Sequence, residues 1–493
     1  MPTKYKVGTR GSLLALTQCN QIVKQLKMLT GDNFELEIIK TQGDQDTSLP
    51  LWQMEGQNFF TKELDQALIE KKVDLVVHSY KDLGSIRPKE LELAAVTKRT
   101  FPHDILLIKK ETLFNLKNLN ELVVGTSSPR RIKNTSNHLK KYLPGVKNNL
   151  IVKAENLRGN VNSRLLKLKE GKYHAILLAL AGMERLSESE EIKTLVTGMT
   201  FMILPLSVFP SAAAQGALAI EILTGNKELL NKVKKVEDFH TLQEVQRERK
   251  AFNDYGGGCH LAVGINVKKL GENYVHFHQG ELDNQSVSIN FLERPRHISV
   301  PTGVKSFIGK NDPLIKKAPL PDGILIEANF YVTSLHCLDK FKKIYNEGTI
   351  WASGVKTMQG LIKEGFWVNG CSDSFGDIQI KVLKESKFLS LMMKILSWKT
   401  LTSKTGSSTI GEVIPAYEHE ITPPSDDFKK IIEETEIFYW TSYFQYQTYL
   451  NFFPQIKTKN HCCGLGKTLL TFQEKNIEVT PFLGPEEFHE QTR

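Results

Sequence analysis

The stretch KYKVGTRGSLLALTQCNQIVKQLKML (residues 4–29) decides how the chain begins to fold. Its first part, KYKVGTR, predicts a β-strand, and the remainder predicts an α-helix that Ser12 is placed to cap. The same order of strand, polar turn and helix returns at ELVVGTSSPRRIKN (121–134). Such alternation is the pattern of α/β domains with mainly parallel sheets.

The segments between and after these two stretches continue the alternation. FELEIIKT (34–41) and VDLVVHSY (73–80) predict strands, and FTKELDQALIEKK (60–72) predicts a helix. Residues 157–186 predict a loop, a helix, a strand and a second helix. We therefore expect an α/β multidomain protein.

Length and composition agree with several folded domains. The chain has 493 residues, and at roughly 100–200 residues per domain this predicts three or so domains. With 40% hydrophobic and 24% charged residues, the composition is not that of a disordered chain. Six irregularly spaced cysteines do not form a disulfide framework, and no signal-like or membrane-length apolar stretch is present. We expect a cytoplasmic protein that does not enter a membrane.

The charge balance points to an acidic partner. Lys and Arg number 64 against 55 Asp and Glu, a formal net charge of +9. Nucleic acid, an acidic surface and a polyanionic small molecule all remain open on composition alone. The arginines lie at dispersed turns, without a recognition module or a basic-aromatic stripe, so we expect no nucleic-acid partner.

Three strand-to-helix junctions share one chemistry. Each combines polar turn residues, an arginine and a helix N-terminus, and they lie at residues 9–12, 125–131 and 157–164. Helix N-termini favour anions, and arginine pairs well with carboxylate or phosphate. At any one junction the alternative is an ordinary capped helix with a solvated arginine. Three junctions in one α/β region favour a cleft for several anionic groups.

Two further positions are candidates for chemistry. Lys81 and Asp82 end an apolar strand, where they form either a surface ion pair or part of a cationic cleft whose carboxylate stabilises a developing cation. Cys259 follows three glycines, so its thiol is either inert or accessible to a ligand. The residues alone leave both alternatives open.

Beyond residue 300 the chain predicts a linker and then a weak repeat. Prolines at 301, 313, 319 and 321 indicate a linker over 301–320. Residues 324–368 then align with residues 436–479, each copy predicting strand, TS turn, helix, strand, KT turn, helix and strand. Two similar small α/β units are the simplest interpretation.

Two short motifs in this region are set aside. GLGKT (464–468) resembles a phosphate-binding loop, but His461 stands where that motif needs a glycine. The adjacent cysteines of HCC (461–463) lack the usual zinc-ligand spacing. We expect neither a nucleotide site there nor a metal.

Ten motifs in order resemble the hydroxymethylbilane synthase (porphobilinogen deaminase) family over residues 4–300. They are GTRGSLLAL, FTKELDQAL, VDLVVHSYKDL, PHD, VVGTSSPRR, LRGNVNSRLLKL, AILLALAGMERL, AAAQGALAIE, RERKAF and GGGCHLAVG. The resemblance implies two domains like the lobes of periplasmic binding proteins and a small α+β cofactor domain. The expected domains are 1–99 with 204–222, 103–199 and 225–300, followed by the linker 301–320 and a further region 321–493.

The resemblance also implies an activity, a cofactor and site residues. Four porphobilinogen molecules are joined into hydroxymethylbilane with loss of ammonia, on a dipyrromethane cofactor attached through Cys259. Asp82 matches the catalytic aspartate, which stabilises the positively charged azafulvene formed as ammonia leaves. The residues that hold cofactor carboxylates would be Lys81, Thr126, Ser127, Ser128, Arg130, Arg131 and Arg158. The residues that hold substrate would be Arg10, Ser12, Gln18, Arg164 and Arg185.

Three positions depart from the family pattern. Gln57 lies in a loop where the family has a lysine that helps hold substrate, Gly84 replaces a usual proline, and Pro129 replaces a typical leucine. These departures concern loop geometry and turnover, since the arginines, Asp82 and Cys259 are all present. A monomer is expected.

The region after the linker is similar to the uroporphyrinogen-III synthase family, in which two α/β lobes enclose a cleft. The matching residues are Thr333, Ser334, Lys356, Thr357, Tyr417, Thr441, Ser442, Lys467 and Thr468. Tyr417 would correspond to a cleft tyrosine that helps a hydroxyl leave. The family's N-terminal strand is not found before residue 320, which predicts one incomplete lobe.

Two alternatives to a bifunctional enzyme stay open at this point. In the first, the chain is a deaminase with a degenerate C-terminal domain. In the second, it is a non-catalytic anion-binding module, although the presence of Asp82 and Cys259 argues against this.

Overall fold

Strands and helices alternate through the first part of the computed structural model, as the sequence predicts. The structure describes residues 2–41, 61–258, 260–294, 301–310, 312–321, 327–342 and 347–492. By the packing of its residues the chain divides into two units. The first comprises Met1–Lys269, His276–Asn290 and Ser386–Met392, and the second comprises Leu270–Val275, Phe291–Glu385 and Met393–Arg493.

The first strands along the described chain build three sheets. They are β1 (Lys4–Thr9), β2 (Asn33–Ile38), β3 (Leu75–Ser79), β4 (Leu91–Val96), β5 (Asp104–Lys109), β6 (Glu121–Gly125), β7 (Ile151–Glu155), β8 (Ala175–Ala179), β9 (Met199–Ile203), β10 (Leu218–Leu223), β11 (Ala262–Leu270), β12 (Asn273–Leu282) and β13 (Gln285–Glu293). The strand orders are β2-β1-β3-β10-β4, β7-β6-β8-β5-β9 and β11-β12-β13.

Helices connect many of these strands. The α-helices are Leu13–Thr30, Lys62–Ile69, Lys110–Phe114, Pro129–His138, Val161–Lys169, Leu180–Arg185, Glu190–Val196, Lys227–Val233 and Phe239–Asp254. Short 3-10 turns lie at Tyr80–Asp82, Leu116–Asn118, Leu139–Tyr142 and Lys234–Val236.

Each of the two five-stranded sheets mixes parallel and antiparallel pairs. β1 is parallel to β2 and β3, and β6 is parallel to β7 and β8. β10 is antiparallel to β3 and β4, and β5 is antiparallel to β8 and β9. The prediction of mainly parallel sheets is therefore only half right. The antiparallel strands β5 and β10 follow the two points where the chain passes from one sheet to the other without a crossover helix.

The first helix shows how local sequence sets an element's bounds. Ser12 caps it by accepting a hydrogen bond of 3.3 Å from the backbone N–H of Ala15, as predicted. It ends at Gly31, whose φ of 74° is the left-handed conformation that glycine adopts at low cost. Its buried residues, among them Ile22 and Leu26, face a core shared with the first sheet.

The second part of the described chain builds two further sheets. Its strands are β14 (Ser306–Ile308), β15 (Ile315–Pro319), β16 (Asn329–Val332), β17 (Ile350–Ala352), β18 (Gly370–Cys371), β19 (Trp398–Ser403), β20 (Glu412–Ile421), β21 (Ile437–Trp440), β22 (Asn460–Gly464) and β23 (Thr480–Phe482). The strand orders are β15-β20-β19-β16-β17-β18 and β14-β21-β22-β23.

The helices of this part complete two lobes, one on each sheet. They are Leu338–Phe341, Val355–Lys363, Asp377–Lys384, Asp426–Glu433, Tyr443–Phe452, Lys467–Glu474 and Pro485–Thr492, with 3-10 turns at Leu335–Cys337 and Pro454–Thr458. The helix Lys387–Met392 falls in this part of the sequence but belongs to the first unit. In each lobe three parallel strands, β16-β17-β18 or β21-β22-β23, are separated by helices that begin near the TS and KT pairs. The predicted order of elements in the repeat is confirmed.

The stretch predicted as a linker differs from that prediction. Residues 306–308 form β14, which pairs in parallel with β21, and residues 315–319 form β15, which pairs antiparallel with β20. Between them Leu314 is buried in the core of the second lobe. Strands before residue 320 therefore join the sheets of both lobes, whereas the sequence predicted that one lobe would lack its N-terminal strand. The prolines misled the prediction because β14 contains none and β15 lies at a sheet edge, where proline is tolerated.

No helix among the described residues is both long enough and apolar enough to span a bilayer. The described structure is a mixed α/β fold with several sheets.

Candidate functional site

The strand β3 delivers Lys81 and Asp82 to one edge of the first sheet. β3 is buried along its length and runs into the 3-10 turn Tyr80–Asp82. Lys81 is half-buried, whereas Asp82 is exposed. Since β1 is parallel to β3, Arg10 leaves the sheet at the same edge. These residues are thus brought together, as expected for the carboxyl ends of parallel strands.

Asp104 holds Arg130 and Arg131 in a buried cluster. Its Oδ2 accepts a hydrogen bond of 2.7 Å from Arg130 Nη1, and its Oδ1 accepts one of 2.7 Å from Arg131 Nη2. The side chain of Gln215 adds a third hydrogen bond, of 2.9 Å, to Oδ1. Burial alone would raise the pKa of Asp104, but the two guanidinium groups outweigh it and hold that pKa below its ordinary value.

The cluster carries an excess of positive charge. Two guanidinium groups face one carboxylate, and burial lowers the pKa of Arg130. The Nε atoms of Arg130 and Arg131 and the buried Oγ1 of Thr126 form no hydrogen bond with any described residue. A ligand carboxylate would balance this charge and would accept these unused hydrogen bonds.

Lys81 lies within the electrostatic field of the cluster. Burial lowers its pKa, the neighbouring Asp82 raises it, and charges from Arg131, Asp104 and Arg130 act on it as well. The turn after β3 and the helix that begins at Pro129 are therefore neighbours. Lys81 therefore lies beside a cationic cluster, and the role of this cluster and Asp82 as a ligand cleft stays a prediction.

A second turn brings Arg158 and Arg164 to the same place. Asn160 caps the helix Val161–Lys169, and Arg164 Nε donates a hydrogen bond of 2.8 Å to the carbonyl of Gly159. Burial and the positive charges of Arg131 and Arg158 lower the pKa of Arg164 to about 10. Two of the three predicted anion-binding turns are thus in electrostatic contact.

The remaining candidates of this region are placed as follows. Arg185 Nη2 donates a hydrogen bond of 2.7 Å to the carbonyl of Gly216, and burial lowers its pKa to about 10. Gln18 is buried and exchanges side-chain hydrogen bonds of 2.8 and 3.1 Å with Ser79. Ser12 caps its helix.

The turn before Pro129 presents three hydroxyl groups beside the arginines. Thr126 is buried, and Ser127 and Ser128 are half-buried. Ser128 occupies the capping position of the helix without a side-chain hydrogen bond to it, and Pro129 takes the first helical position. The departure at Pro129 is therefore compatible with the helix start.

Two residues of the site were not predicted. Asp104 belongs to the PHD motif, and an acidic residue at the head of the apolar strand DILLIK was a usable sign of a buried ion pair. Arg249 donates hydrogen bonds of 2.8 and 2.7 Å to the carbonyls of Leu83 and Gly84, directly after Asp82, and its guanidinium lies over the ring of Tyr80. No local pattern distinguishes Arg249 from the other charged residues of its helix.

Two predicted positions fall outside the described residues, namely Cys259 and Gln57. The chain on the N-terminal side of Cys259 is described: Gly256, Gly257 and Gly258 have φ angles of 92°, 60° and 89°. A Cβ on Gly257 would meet Ser85 Oγ at 2.5 Å, so this turn packs closely against the loop that follows Asp82.

In the first lobe of the second unit, the structure brings Ser334 and Tyr417 together. Tyr417 is buried, and the hydroxyl side chains of Ser334 and Ser403 lie close enough to act on its pKa. Burial raises the pKa of Tyr417. Thr333 is held by a hydrogen bond of 2.9 Å to the carbonyl of Leu401.

The KT pairs differ in their surroundings. Thr357 is buried and its Oγ1 lies 3.3 Å from Ser353 Oγ, while Lys356 lies in the first turn of the same helix and is exposed. Lys467 donates hydrogen bonds to the carbonyl and hydroxyl of Ser407. These lysines are thus not part of one cluster.

The TS pair of the second lobe caps a helix. Ser442 accepts a hydrogen bond of 3.2 Å from the N–H of Gln445, and Thr441 bonds to the Gln445 side chain. Thr468 Oγ1 donates a hydrogen bond of 3.4 Å to the carbonyl of Thr441, so these candidates of the second lobe adjoin one another.

The HCC segment is part of the second lobe's core. His461 Nδ1 accepts a hydrogen bond of 3.1 Å from Trp440 Nε1, and burial raises the pKa of Cys462 and Cys463 to about 12. Thiols with such pKa values stay protonated at neutral pH, which disfavours metal binding.

Comparison with known proteins shows to which family the N-terminal half is similar. The family described as "Porphobilinogen deaminase, dipyromethane cofactor binding domain" matches residues 5–231. A porphobilinogen deaminase from Brevibacillus brevis is 38% identical over 275 residues, which cover 55% of this chain and 81% of that protein. The chain belongs to the porphobilinogen deaminase family.

Two archaeal members of the family are similar to the same extent. Probable porphobilinogen deaminases from Methanothermobacter thermautotrophicus and Methanocaldococcus jannaschii are 36% and 39% identical to this chain. The matches cover 82% and 81% of those proteins and 52% of this chain. The porphobilinogen deaminase family domain found here is a cofactor-binding domain, which confirms the predicted dipyrromethane.

Among solved structures, a periplasmic binding protein from Brucella ovis with glutathione bound is 10% identical to this chain. It aligns with 51% of this chain and 70% of its own, at a TM-score of 0.29. A likeness at this level does not decide the fold.

Proposed function

We propose that this chain is an active porphobilinogen deaminase, which joins four porphobilinogen molecules into hydroxymethylbilane with release of ammonia. The observation that carries the proposal is the position of the Lys81–Asp82 turn in the field of the Asp104–Arg130–Arg131 cluster. An exposed carboxylate beside a buried cationic cluster suits a substrate that carries carboxylates and develops positive charge as it reacts. The two five-stranded sheets would then form two lobes like those of periplasmic binding proteins.

The residues of the cluster fit the carboxylates of a dipyrromethane cofactor. Its excess charge and its unused donors, the Nε atoms of Arg130 and Arg131 and the hydroxyl of Thr126, all require an anionic partner. The residues that would hold the group are Lys81, Thr126, Ser127, Ser128, Arg130, Arg131 and Arg158. When bound through Cys259, the cofactor would supply the end to which substrate is joined.

The carboxylate of Asp82 would stabilise the positive charge that develops on the substrate pyrrole as ammonia leaves. Asp82 is exposed and makes no hydrogen bond to any described side chain, so its charge is available to a ligand. Arg249 holds the chain directly after it through the carbonyls of Leu83 and Gly84. A carboxylate on a fixed turn stabilises a cation without having to reorganise.

The substrate's acetate and propionate groups would bind the remaining cations, Arg10, Arg164 and Arg185, with Ser12 and Gln18 beside them. Burial favours the neutral form of Arg164 and Arg185, and an incoming carboxylate would offset this by pairing with the charged form. Binding of substrate would therefore raise the pKa of both arginines.

Measuring the mass and the deaminase activity of the full chain tests this proposal. We expect purified protein to exceed its calculated mass by two pyrrole units carried on Cys259, and the variant Cys259→Ala to lose both the excess and the activity. The control is Cys19→Ala, at a buried thiol whose pKa burial raises to about 11. A chain with neither the excess mass nor any deaminase activity would instead favour a non-catalytic anion-binding module, and full activity of Cys259→Ala would exclude attachment at Cys259.

We further propose that the second unit is a uroporphyrinogen-III synthase, which closes the bilane into a ring. The observation that favours it is Tyr417, whose hydroxyl lies among hydroxyl side chains at the carboxyl ends of β16 and β19. A tyrosine held there could donate its proton to a departing hydroxyl group. Burial raises its pKa, which keeps the donor protonated at neutral pH.

Product analysis from porphobilinogen decides between one activity and two. Type III uroporphyrinogen is expected if both parts of the chain are active. Only the type I isomer would mean that the chain is a deaminase with a degenerate C-terminal domain.

A further inference from the structure

The antiparallel pair of β15 and β20 carries polar side chains on one face. In its register Lys317 lies opposite His419, and Pro319 lies opposite Tyr417. Residues two apart on a strand point to the same face, and residues paired across two strands share a face. Lys317, Tyr417 and His419 therefore lie on the same face of this pair.

The turn after β16 adds His336 to this face. The ring centroid of His336 lies 5.5 Å from that of Tyr417, which in turn lies 5.5 Å from that of His419. His419 also stacks on Phe444, with centroids 4.4 Å apart and ring planes 22° apart. We call the group of Lys317, His336, Tyr417 and His419 the basic face.

The basic face places one ammonium group beside two imidazoles. Burial lowers the pKa of Lys317, and burial together with the charge of Lys317 lowers the pKa of His336 and His419, so the imidazoles favour their neutral form. The carboxylate of Asp312 acts on Lys317, but it already accepts hydrogen bonds of 2.6 and 3.0 Å from two neighbouring side chains.

One buried ring nitrogen of the basic face also makes no hydrogen bond to any described residue. The Nδ1 atom of His419 is buried and has no hydrogen-bond partner among the described residues. A buried polar atom without a partner costs free energy unless a ligand or water satisfies it. Together with the ammonium group of Lys317 on the same face, this points to an anionic ligand that accepts hydrogen bonds.

We propose that the basic face is a carboxylate-binding site for a linear tetrapyrrole. This inference rests on the second activity proposed above, and it assigns to Lys317, His336 and His419 the task of holding an acidic side chain of the substrate beside Tyr417. Lysine forms charge-assisted hydrogen bonds with carboxylates, and a carboxylate bound beside the two imidazoles would raise their pKa and so favour their protonated form. The site thus orients the substrate, while the tyrosine hydroxyl faces its reactive end.

The test uses the full chain and two lysines that differ only in the face they occupy. Lys316 precedes Lys317 on the same strand, is exposed, and points to the opposite face because side chains alternate. We expect Lys317→Ala to bind uroporphyrin about tenfold more weakly, measured by fluorescence titration, and Lys316→Ala to bind it like the unsubstituted chain. His419→Gln, which keeps a polar side chain, should weaken binding in the same direction. Any uroporphyrin that binds to the deaminase part gives the same background signal in every variant.

The isomer composition of the product separates this inference from the second activity. If the unsubstituted chain makes type III uroporphyrinogen, Lys317→Ala should raise the share of type I while Lys316→Ala does not. If the unsubstituted chain makes only type I, the second activity fails and the uroporphyrin titration alone decides the site. Equal affinities for Lys317→Ala, His419→Gln and Lys316→Ala would overturn the proposal in either case.

Discussion

The guanidinium of Arg249 donates a hydrogen bond of 2.8 Å to the carbonyl of Leu83, the residue that follows Asp82. A second bond, of 2.7 Å, reaches the carbonyl of Gly84. Arg249 lies on the helix Phe239–Asp254, which ends just before the glycines that precede Cys259. One side chain therefore links the helix that leads towards Cys259, the proposed attachment point of the cofactor, with the turn that carries the proposed catalytic carboxylate.

We expect Arg249→Gln to slow deaminase turnover by about tenfold, because the turn of Asp82 loses its anchor. The cofactor mass on Cys259 should remain, which separates a positioning role from loss of the cofactor. Steady-state kinetics should show the effect mainly in kcat. Lys250→Gln is the matched control, since its exposed ammonium group pairs with the exposed carboxylate of Asp254. Unchanged kcat in Arg249→Gln would contradict this role.

We expect Asp82→Asn to slow turnover by about a hundredfold or more, because a neutral amide cannot balance the developing cation. Asp82 is exposed, so the melting temperature should not change. Rapid-quench measurement of ammonia release tests the rate, and differential scanning calorimetry tests the fold. A rate near that of the unsubstituted chain would remove Asp82 from the mechanism.

We expect Asp104→Asn to destabilise the chain by about 3–5 kcal/mol at neutral pH, because two buried guanidinium groups lose their carboxylate. The control is Glu228→Gln, which removes an exposed partner of Lys232 and should leave the unfolding midpoint unchanged. Urea unfolding measures both variants.

The same variant has a defined pH dependence. The pKa of Asp104 in the folded state lies below its ordinary value of 3.8, so its stabilisation is fully present above that value and is lost as the pH falls below it. The difference in stability between the unsubstituted chain and Asp104→Asn should therefore be constant from pH 5 to 7 and should shrink in stronger acid. A constant difference down to pH 2 would disprove the linkage.

We expect Gly264→Ala to destabilise the chain by about 1–3 kcal/mol and to weaken deaminase activity. A Cβ on Gly264 would lie 2.4 Å from the carbonyl oxygen of Pro210 and 2.8 Å from Arg130 Cδ, so the arginine would have to move. Gly182→Ala is the control, because its nearest contact would be an ordinary 3.7 Å. If urea unfolding gave the same free energy of unfolding for Gly264→Ala and Gly182→Ala, stability would not depend on the close packing of Gly264 against Arg130.

We expect Tyr417→Phe to abolish formation of the type III isomer while ammonia release continues at the normal rate. Phenylalanine keeps the ring contacts with His336 and His419 and removes only the hydroxyl, which lies near Ser334 and Ser403. Chromatographic separation of the isomers measures the outcome. Retention of the type III isomer would exclude Tyr417 as the proton donor.

Local sequence determined the elements and the turns of this protein. The cap at Ser12, the helix start at Pro129, the buried strand before Lys81 and both copies of the C-terminal repeat follow from short-range periodicity and capping, and the structure has all of them. Short-range patterns are sufficient here because helix caps and strand alternation involve residues only a few positions apart.

Tertiary structure alone decided which of these turns meet, and what holds them. Arg131 donates a hydrogen bond to Asp104, which lies 27 residues earlier in the chain. Arg249 donates one to the carbonyl of Leu83, 166 residues earlier. β15 pairs with β20, about a hundred residues later. No local pattern encodes such partners, because a buried charge specifies only that some opposite charge must lie beside it. The stretch predicted as a linker became two strands for the same reason, since its hydrogen-bond partners lie in β20 and β21.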